Sequence, residues 1–500
     1  MKIGHYRIEE VTAPDGYTIN KNYAEIKVDS DTLYQIEQVS GDAIIEVVYE
    51  NHPVKGELTV VKKGEVLKDY GKDFKYEMEN LAGAVFAIYA AEDIYTADFQ
   101  KDDAGNRILE YAKDTLVAEL TTDETGSATI KNLPLGNYRV VEKTAPDGFV
   151  HNKAEQNVQF VYVDQDTPAV VESVEFINER QKVEISVEKQ DAENGSTIAG
   201  AEFGLYAKED IKAGGKVIVK ADEQLCTAVT GEDGTAIFEQ NLPFGSYYIK
   251  ELQAPDGFVS SDEIIEVTVS YQGQDVEVVR LKEIFKNQPT TVEFRKSDLT
   301  TGVELDGATL TVLDKDGNEI DKWTSVKGEP HIIKRLHVGE TYILREEFAP
   351  YGYLKAEEVE FTITDTAEIQ KVEMKDDVPI GRIIINKKGE FLSEVSWNDM
   401  VAGAMDSIWG YVTGSLKDVT FEIYAREDIK AADGESDDYY KKDELVATIK
   451  TDELGIARTD DLPLGKYYVV EKETADGFVL DGEPRDIDPV SYTHLPSPRD

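Results

Sequence analysis

The sequence predicts an all-β chain of tandem sandwich domains. Three observations carry this. Short runs alternate apolar and polar residues with period two. Turn signals rich in Gly and Pro separate them. A strand–turn–strand segment recurs five times, at intervals of about one small domain. At 500 residues the chain is too long for one ordinary core.

The recurring segments centre on Ala13-Pro14-Asp15-Gly16-Tyr17, Ala145-Pro146-Asp147-Gly148-Phe149, Ala254-Pro255-Asp256-Gly257-Phe258, Ala349-Pro350-Tyr351-Gly352-Tyr353 and Thr474-Ala475-Asp476-Gly477-Phe478. Pro at the second position and Gly at the fourth read as a type I turn. Before each turn lies an alternating run such as Tyr138-x-Val140-x-Glu142, the pattern of a half-buried strand. Leu-Pro-Leu-Gly or Leu-Pro-Phe-Gly precedes three of these runs, at Leu133, Leu242 and Leu462. Short helical turns are expected at Ala91 to Ile94, Lys208 to Ile211 and Arg426 to Ile429. Acidic, Lys-rich inserts at 97–114 and 431–443 absorb the differences in length.

Parity then exposes polar residues on inward faces. In the first strand of each unit a lysine ends an apolar row: Lys62 after Leu58 and Val60, Lys189 after Ile185 and Val187, Lys296 after Val292 and Phe294, Lys387 after Ile383 and Ile385. In the strand before the turn a glutamate does so: Glu10, Glu142, Glu251, Glu346 and Glu471. In the last strand it is Asn51, Asn178, Asn287 or Asp376, with Glu283 a blemish on the row that ends at Asn287. The intervals Asn51 to Lys62, Asn178 to Lys189 and Asp376 to Lys387 are equal, which favours Asp376 over Asp377. Lys63 and Lys388 fall on the opposite, solvated face.

An unpaired Lys or Glu in a core costs several kcal/mol, so each trio acts together. One reading is a buried Lys–Glu ion pair with the carboxamide hydrogen-bonded beside it. The other, preferred, is chemistry. Burial lowers a lysine pKa and raises a glutamate pKa, leaving a neutral amine as nucleophile and a neutral carboxyl to donate a proton to the carboxamide oxygen. The product is an amide joining first and last strands. It forms once per site, so the chain is not a turnover enzyme.

These residues, with Leu-Pro-Leu-Gly-x-Tyr and Glu-x-x-Ala-Pro-x-Gly-Tyr, resemble the SpaA-like and Cna B-type repeats of Gram-positive surface proteins. The resemblance covers nearly all of residues 1–490. It implies transthyretin-like or immunoglobulin-like β-sandwiches, intramolecular isopeptide bonds, and a role in pilins or adhesin stalks anchored to the cell wall by sortase. Carried over by position, the lysines are Lys62, Lys189, Lys296 and Lys387. Their partners are Asn178, Asn287 and Asp376, the partner of Lys387 being missing, and Asn51 is a partner whose lysine is missing. Glu142, Glu251, Glu346, Glu10 and Glu471 are the proton shuttles.

The expected domains are 1–53, the C-terminal part of a truncated repeat; 54–181, complete with a long insert; 182–289, complete; 290–378, complete and short; and 379–489, lacking its last strand. Residues 490–500 fit no repeat and read as a non-native tail. The expected function is a structural stalk of an extracellular, wall-anchored adhesin, attached to peptidoglycan through a sortase signal not present in this chain. Alternatives are a module binding host extracellular matrix, or a sortase-polymerised pilin subunit, although no Tyr-Pro-Lys-Asn-like acceptor motif is present.

Other chemistry finds little support. A net charge of −47 repels nucleic acid. No apolar run reaches the ~18 residues of a membrane span. No cofactor is expected. The six histidines (His5, His52, His151, His331, His337, His494) lack metal-ligand spacing, and no metal is expected. Cys226, the lone cysteine, sits in a strand-like run without a nearby His and reads as a packing residue. Asp314-Lys315-Asp316-Gly317-Asn318 faintly resembles a calcium loop. It has Ser325 where the distal Glu belongs and reads better as a hairpin turn.

Overall fold

The computed structural model describes residues 1–29, 35–36, 43–96, 101–397, 407–434 and 436–487. The expected tail at 490–500, His494 and the start of the first insert lie outside the described residues. The chain forms two compact units, one of Met1–Pro255 with Ser261–Asn287, the other of Asp256–Ser260 with Gln288–Asp500.

In the first unit, repeat one packs two sheets face to face. One has the order Ser127–Leu133, Lys55–Tyr70, Ala169–Asn178. The other runs Leu116–Thr121, Val85–Ala90, Gly136–Thr144, Glu155–Phe160. Period-two burial explains the arrangement. Leu58, Val60, Phe86, Ile88, Tyr138, Val140 and Phe176 point inward and are sealed between the sheets. Repeat two repeats the plan, with Thr235–Ile237, Lys182–Asp191, Val278–Asn287 opposite Gln224–Val229, Glu202–Ala207, Gly245–Gln253, Ile264–Val269.

In the second unit, repeat three has His331–Lys334, Thr291–Asp298, Gln370–Asp376 opposite Glu319–Thr324, Thr309–Leu313, Thr341–Phe348, Val359–Thr362. Repeat four has the four-stranded sheet Leu445–Lys450, Thr420–Ala425, Tyr467–Glu473, Arg485–Ile487. Its Ile384–Asn386 pairs with Ile456–Arg458. In repeats one to three the first and last strands are parallel neighbours, while the other pairings are antiparallel.

The motifs have local causes. Tyr138 Oη donates to Pro134 O at 2.8 Å, Tyr247 Oη to Pro243 O at 2.6 Å and Tyr467 Oη to Pro463 O at 2.6 Å, closing each Leu-Pro-x-Gly-x-Tyr corner. The Ala-Pro-Asp-Gly turn is displaced by one residue from the expected type I turn. Phe149 N donates to Pro146 O at 3.1 Å, so Pro opens the turn, and Gly148 holds its third position at φ 91°. That φ excludes ordinary side chains and marks a type II turn.

Two further expectations are corrected, and the hairpin reading of Asp314 to Asn318 holds. No described residue is helical, and Ala91 to Ile94, Lys208 to Ile211 and Arg426 to Ile429 are bends running into bridges or short strands, their backbone groups paired to neighbouring strands. Ile45 to Asn51, read as a last strand, forms no ladder, because no parallel first strand lies beside it among the described residues. Asp314 caps its own hairpin, accepting from Asp316 N at 2.9 Å and Asn318 N at 2.8 Å.

The turn aromatics pack on glycine. A Cβ at Gly64 would sit 2.5 Å from Phe149 and 2.7 Å from Leu81, and one at Gly389 2.5 Å from Phe478 and 2.6 Å from Leu416. Gly64→Ala is therefore expected to destabilise repeat one by about 1–3 kcal/mol through overpacking, seen as a lower denaturant midpoint for that repeat.

Candidate functional site

The parallel first and last strands set the geometry. In register, Lys62 lies opposite Phe176, Lys189 opposite Phe285 and Lys296 opposite Met374. Asn178, Asn287 and Asp376 each come two residues later, so each shares a face with its lysine on a diagonal. The central strand of the facing sheet brings the glutamate down onto the pair.

In repeat one, Lys62 Nζ donates to Asn178 Oδ1 and lies 3.4 Å from Glu142 Oε1. Asn178 Nδ2 donates to both Glu142 oxygens, at 3.0 and 2.8 Å. The Lys62 and Glu142 side chains are 0% exposed. Repeat two repeats this. Lys189 Nζ donates to Asn287 Oδ1 and is 2.7 Å from Glu251, and Asn287 Nδ2 is 3.0 and 2.8 Å from the Glu251 oxygens. Phe203 and Phe285 close over the Lys189 amine at 5.4 and 5.9 Å.

In repeat three, Lys296 Nζ contacts Asp376 Oδ1 and stands 3.0 Å from Glu346 Oε1. That oxygen is within ion-pair distance yet outside hydrogen-bond geometry, and Asp376 Oδ2 is also buried without a partner. Asp376 is sealed in while Asp377 is exposed. In repeat four, Lys387 Nζ donates to Glu471 at 2.6 Å. In the segment before repeat one, Asn51 Nδ2 donates to both Glu10 oxygens at 2.9 Å. All thirteen residues singled out by parity thus fall into these five clusters.

One contact was not visible in the sequence. In four of the five glutamates the second oxygen accepts a backbone N–H ten residues on: Asn20 for Glu10, Asn152 for Glu142, Ser261 for Glu251, Ala356 for Glu346, at 2.7 to 2.9 Å. This pins the carboxyl orientation. The carboxamide orientation also departs from expectation, since its nitrogen, not its oxygen, faces the glutamate. An ammonium can only donate and a carboxylate only accept, so Oδ1 turns to lysine and Nδ2 to glutamate.

Burial pulls the Lys62 amine down to about 8, against the upward pull of Glu142. Burial also lowers Lys189, against Glu251. Burial pushes Asp376 up to about 6, with Lys296 opposing and Glu346 adding to the rise. Two acids share one lysine in repeat three, so a proton between them relieves the crowding.

Among the described residues no group of His, Cys, Asp or Glu could hold a metal, and no helix is long and apolar enough to cross a membrane. Cys226 is half-buried, and burial pushes its thiol up to about 11, away from nucleophilic character.

The family model described as the SpaA prealbumin-like fold domain matches residues 72–175, 183–283, 290–378 and 411–488. The chain belongs to this family. No curated protein matches it. Among solved structures, this SpaA-type chain is similar to the Bacillus anthracis TIE protein at 25% identity, with a TM-score of 0.43. The match covers 65% of this chain and 52% of that protein, so the chain spans about half its length. It is similar to BcpA, the major pilin subunit of Bacillus cereus, at 16% identity over 65% of this chain and 100% of that one, with a TM-score of 0.32. It is also similar to the shaft pilin SpaA from Lactobacillus rhamnosus GG, at 15% identity over 47% and 98%, with a TM-score of 0.19.

Glu142→Ala would leave the Lys62 amine buried without its counter-charge. The expected cost to repeat one is about 3–5 kcal/mol, read as a lower denaturant midpoint. Folding depresses this lysine to about 8 with Glu142 present, and losing that upward pull depresses it further, so the unfolded variant holds more protons from below about 8 up to the ordinary 10.5. The stability of the variant should therefore rise with pH across that window.

Proposed function

We propose that the chain is a stalk segment of a bacterial cell-surface protein whose repeats tie their first strands to their last through Lys–Asn and Lys–Asp isopeptide bonds. The bonds are Lys62 to Asn178, Lys189 to Asn287 and Lys296 to Asp376. The observation that carries the reading is the same buried trio, in the same parallel register, in all three complete repeats.

The chemistry follows from the groups. A proton passes from the lysine ammonium to the glutamate carboxylate. The neutral amine attacks Cγ of the asparagine. As the C–Nδ2 bond breaks, the glutamate gives its proton to the departing nitrogen, against which it already lies, and takes up the second proton of the attacking amine. Ammonia leaves and the carboxyl ends protonated and neutral. In repeat three, Asp376 must be protonated, and water leaves instead. An amine at about 8 rather than 10.5 is neutral about 300-fold more often at pH 7. Holding it against the carbonyl supplies the rest as effective molarity. Ion pair and carboxamide become one neutral amide, which removes the desolvation penalty of the buried charge.

Tension entering at the start of a first strand would cross to the end of the last strand through one covalent bond. The bulk of each sandwich would be bypassed. That is a property of a stalk rather than of a turnover enzyme. Surface exposure and sortase attachment to the wall belong to the same reading.

The test is the intact mass of the purified, denatured chain. Each Lys–Asn bond removes about 17 Da and the Lys–Asp bond about 18 Da, so a deficit of about 52 Da is expected. Lys62→Ala, Lys189→Ala and Lys296→Ala should each abolish one increment. A mass equal to that of the sequence would refute the cross-links.

The two bond types should respond oppositely to pH. For unlinked chain refolded from denaturant, formation at Lys62 should accelerate as pH rises toward about 8, where the amine becomes neutral. Formation at Asp376 should slow as pH rises through about 6, where the acid is lost. Mass-resolved time courses at several pH values would read both.

A further inference from the structure

Repeats one and four carry a feature that repeats two and three lack. After Lys189 and Lys296 the chain turns back within a few residues, at Asp191 to Ser196 and Asp298 to Val303. After Lys62 the strand instead runs on to Tyr70 and returns as Phe74–Asn80, forming a two-stranded ribbon beyond the sandwich. After Lys387, Lys388–Trp397 and Ser407–Ser415 form the same ribbon.

The two ribbons correspond residue by residue. Gly64 and Gly389 both lie against the turn aromatic and the leucine that immediately follows the return strand, Leu81 and Leu416. Leu67 pairs with Tyr76, and Leu392 with Tyr411. A register shift follows immediately in both, after Leu67 and after Leu392. Beyond it Tyr70 pairs with Phe74, and Val395 with Trp409. The matched faces are thus Leu67, Tyr70, Phe74, Tyr76 and Leu392, Val395, Trp409, Tyr411.

In repeat one this face is covered by repeat two. Phe74 is 3% exposed and belongs to the core cluster of repeat two, against which Leu67, Tyr70 and Tyr76 also pack. Tyr76 Oη donates to Asn241 O at 3.0 Å, and Tyr70 Oη to Leu225 O at 3.2 Å. Arg180, in the linker, stacks over Tyr76 at 4.0 Å and lies 3.6 Å from Glu65. The receiving surface is therefore Leu225 with the Asn241-Leu242-Pro243-Phe244 corner.

In repeat four, Leu392 and Tyr411 of the matching face are not covered by another repeat among the described residues, and they are 50% and 58% exposed. Glu390 is exposed where Glu65 meets Arg180.

We infer that the repeat-four ribbon is a coupling element, and that its partner is a prealbumin-like repeat joined C-terminal to repeat four. That repeat would present an Asn-Leu-Pro-Phe-type corner to Leu392 and Tyr411 and a linker cation to Glu390. The ribbon would fix the angle at that joint, as its counterpart fixes repeat one on repeat two.

The test exchanges ribbons within the full chain, where a receiving repeat is present. Residues 389–415 replace residues 64–80, and hydrogen exchange is followed at Gln224–Val229 and Gln240 to Phe244 of repeat two. A control chain replaces residues 64–80 with the Asp191 to Ser196 turn. The proposal expects the exchanged ribbon to protect these segments to within about threefold of the native chain, and the control to exchange about tenfold faster or more. Protection no better than the control overturns it. Should the exchange disturb repeat one, Tyr70→Val with Phe74→Trp recreates the repeat-four face by two substitutions. That variant must keep protection that Tyr70→Ser with Tyr76→Ser loses. Sedimentation of the native chain supplies the remaining arm. A monomer is expected, and a concentration-dependent dimer broken by Leu392→Ser with Tyr411→Ser would assign the face to a second copy instead.

Discussion

The parallel pairing of first and last strands governs the rest of this molecule. It places a lysine and a carboxamide or carboxyl two residues apart in register on one inward face. A slip of one residue would turn every such side chain to solvent. The apolar rows ending at Lys62, Lys189 and Lys296 fix that register by burying Leu58, Val60, Ile185, Val187, Val292 and Phe294. Core packing and site geometry are therefore one constraint. The glutamate then arrives from the facing sheet, its second oxygen held by a backbone N–H.

Such a trio is costly as an ion pair. Two charges leave water, and the carboxamide repays only part of the loss. In repeat three the imbalance is plainest, because two acids face one amine and buried oxygens lack hydrogen bonds. An amide at the same place would be neutral and as well packed. The unlinked site is thus strained toward the product it is proposed to form.

Much of this was legible from parity. Period two distinguished Lys62 from Lys63, whose side chain reaches the surface and Glu175, and Asp376 from Asp377. The five-fold recurrence separated inward polar residues from ordinary exceptions such as Glu283. What stayed hidden depended on partners remote in sequence. The ribbon after Lys62 reads as a strand of any kind, and only repeat two shows why Phe74 and Tyr76 sit at its end. The turn register was misread because Pro fits two positions of a turn, and the left-handed φ of Gly148 decides between them. The carboxamide orientation required both charged neighbours in place.

The most direct test of the central claim is mechanical. The chain is held by its ends and stretched until its repeats yield. The cross-linked account predicts that the segment between Lys62 and Asn178, a separation of 116 residues, never adds to the length. An unlinked repeat would release it in a step of about 400 Å, at ~3.5 Å per residue. Absence of that step in the native chain, and its appearance in Lys62→Ala, is the predicted result. A step of that size from the native repeat would contradict the account.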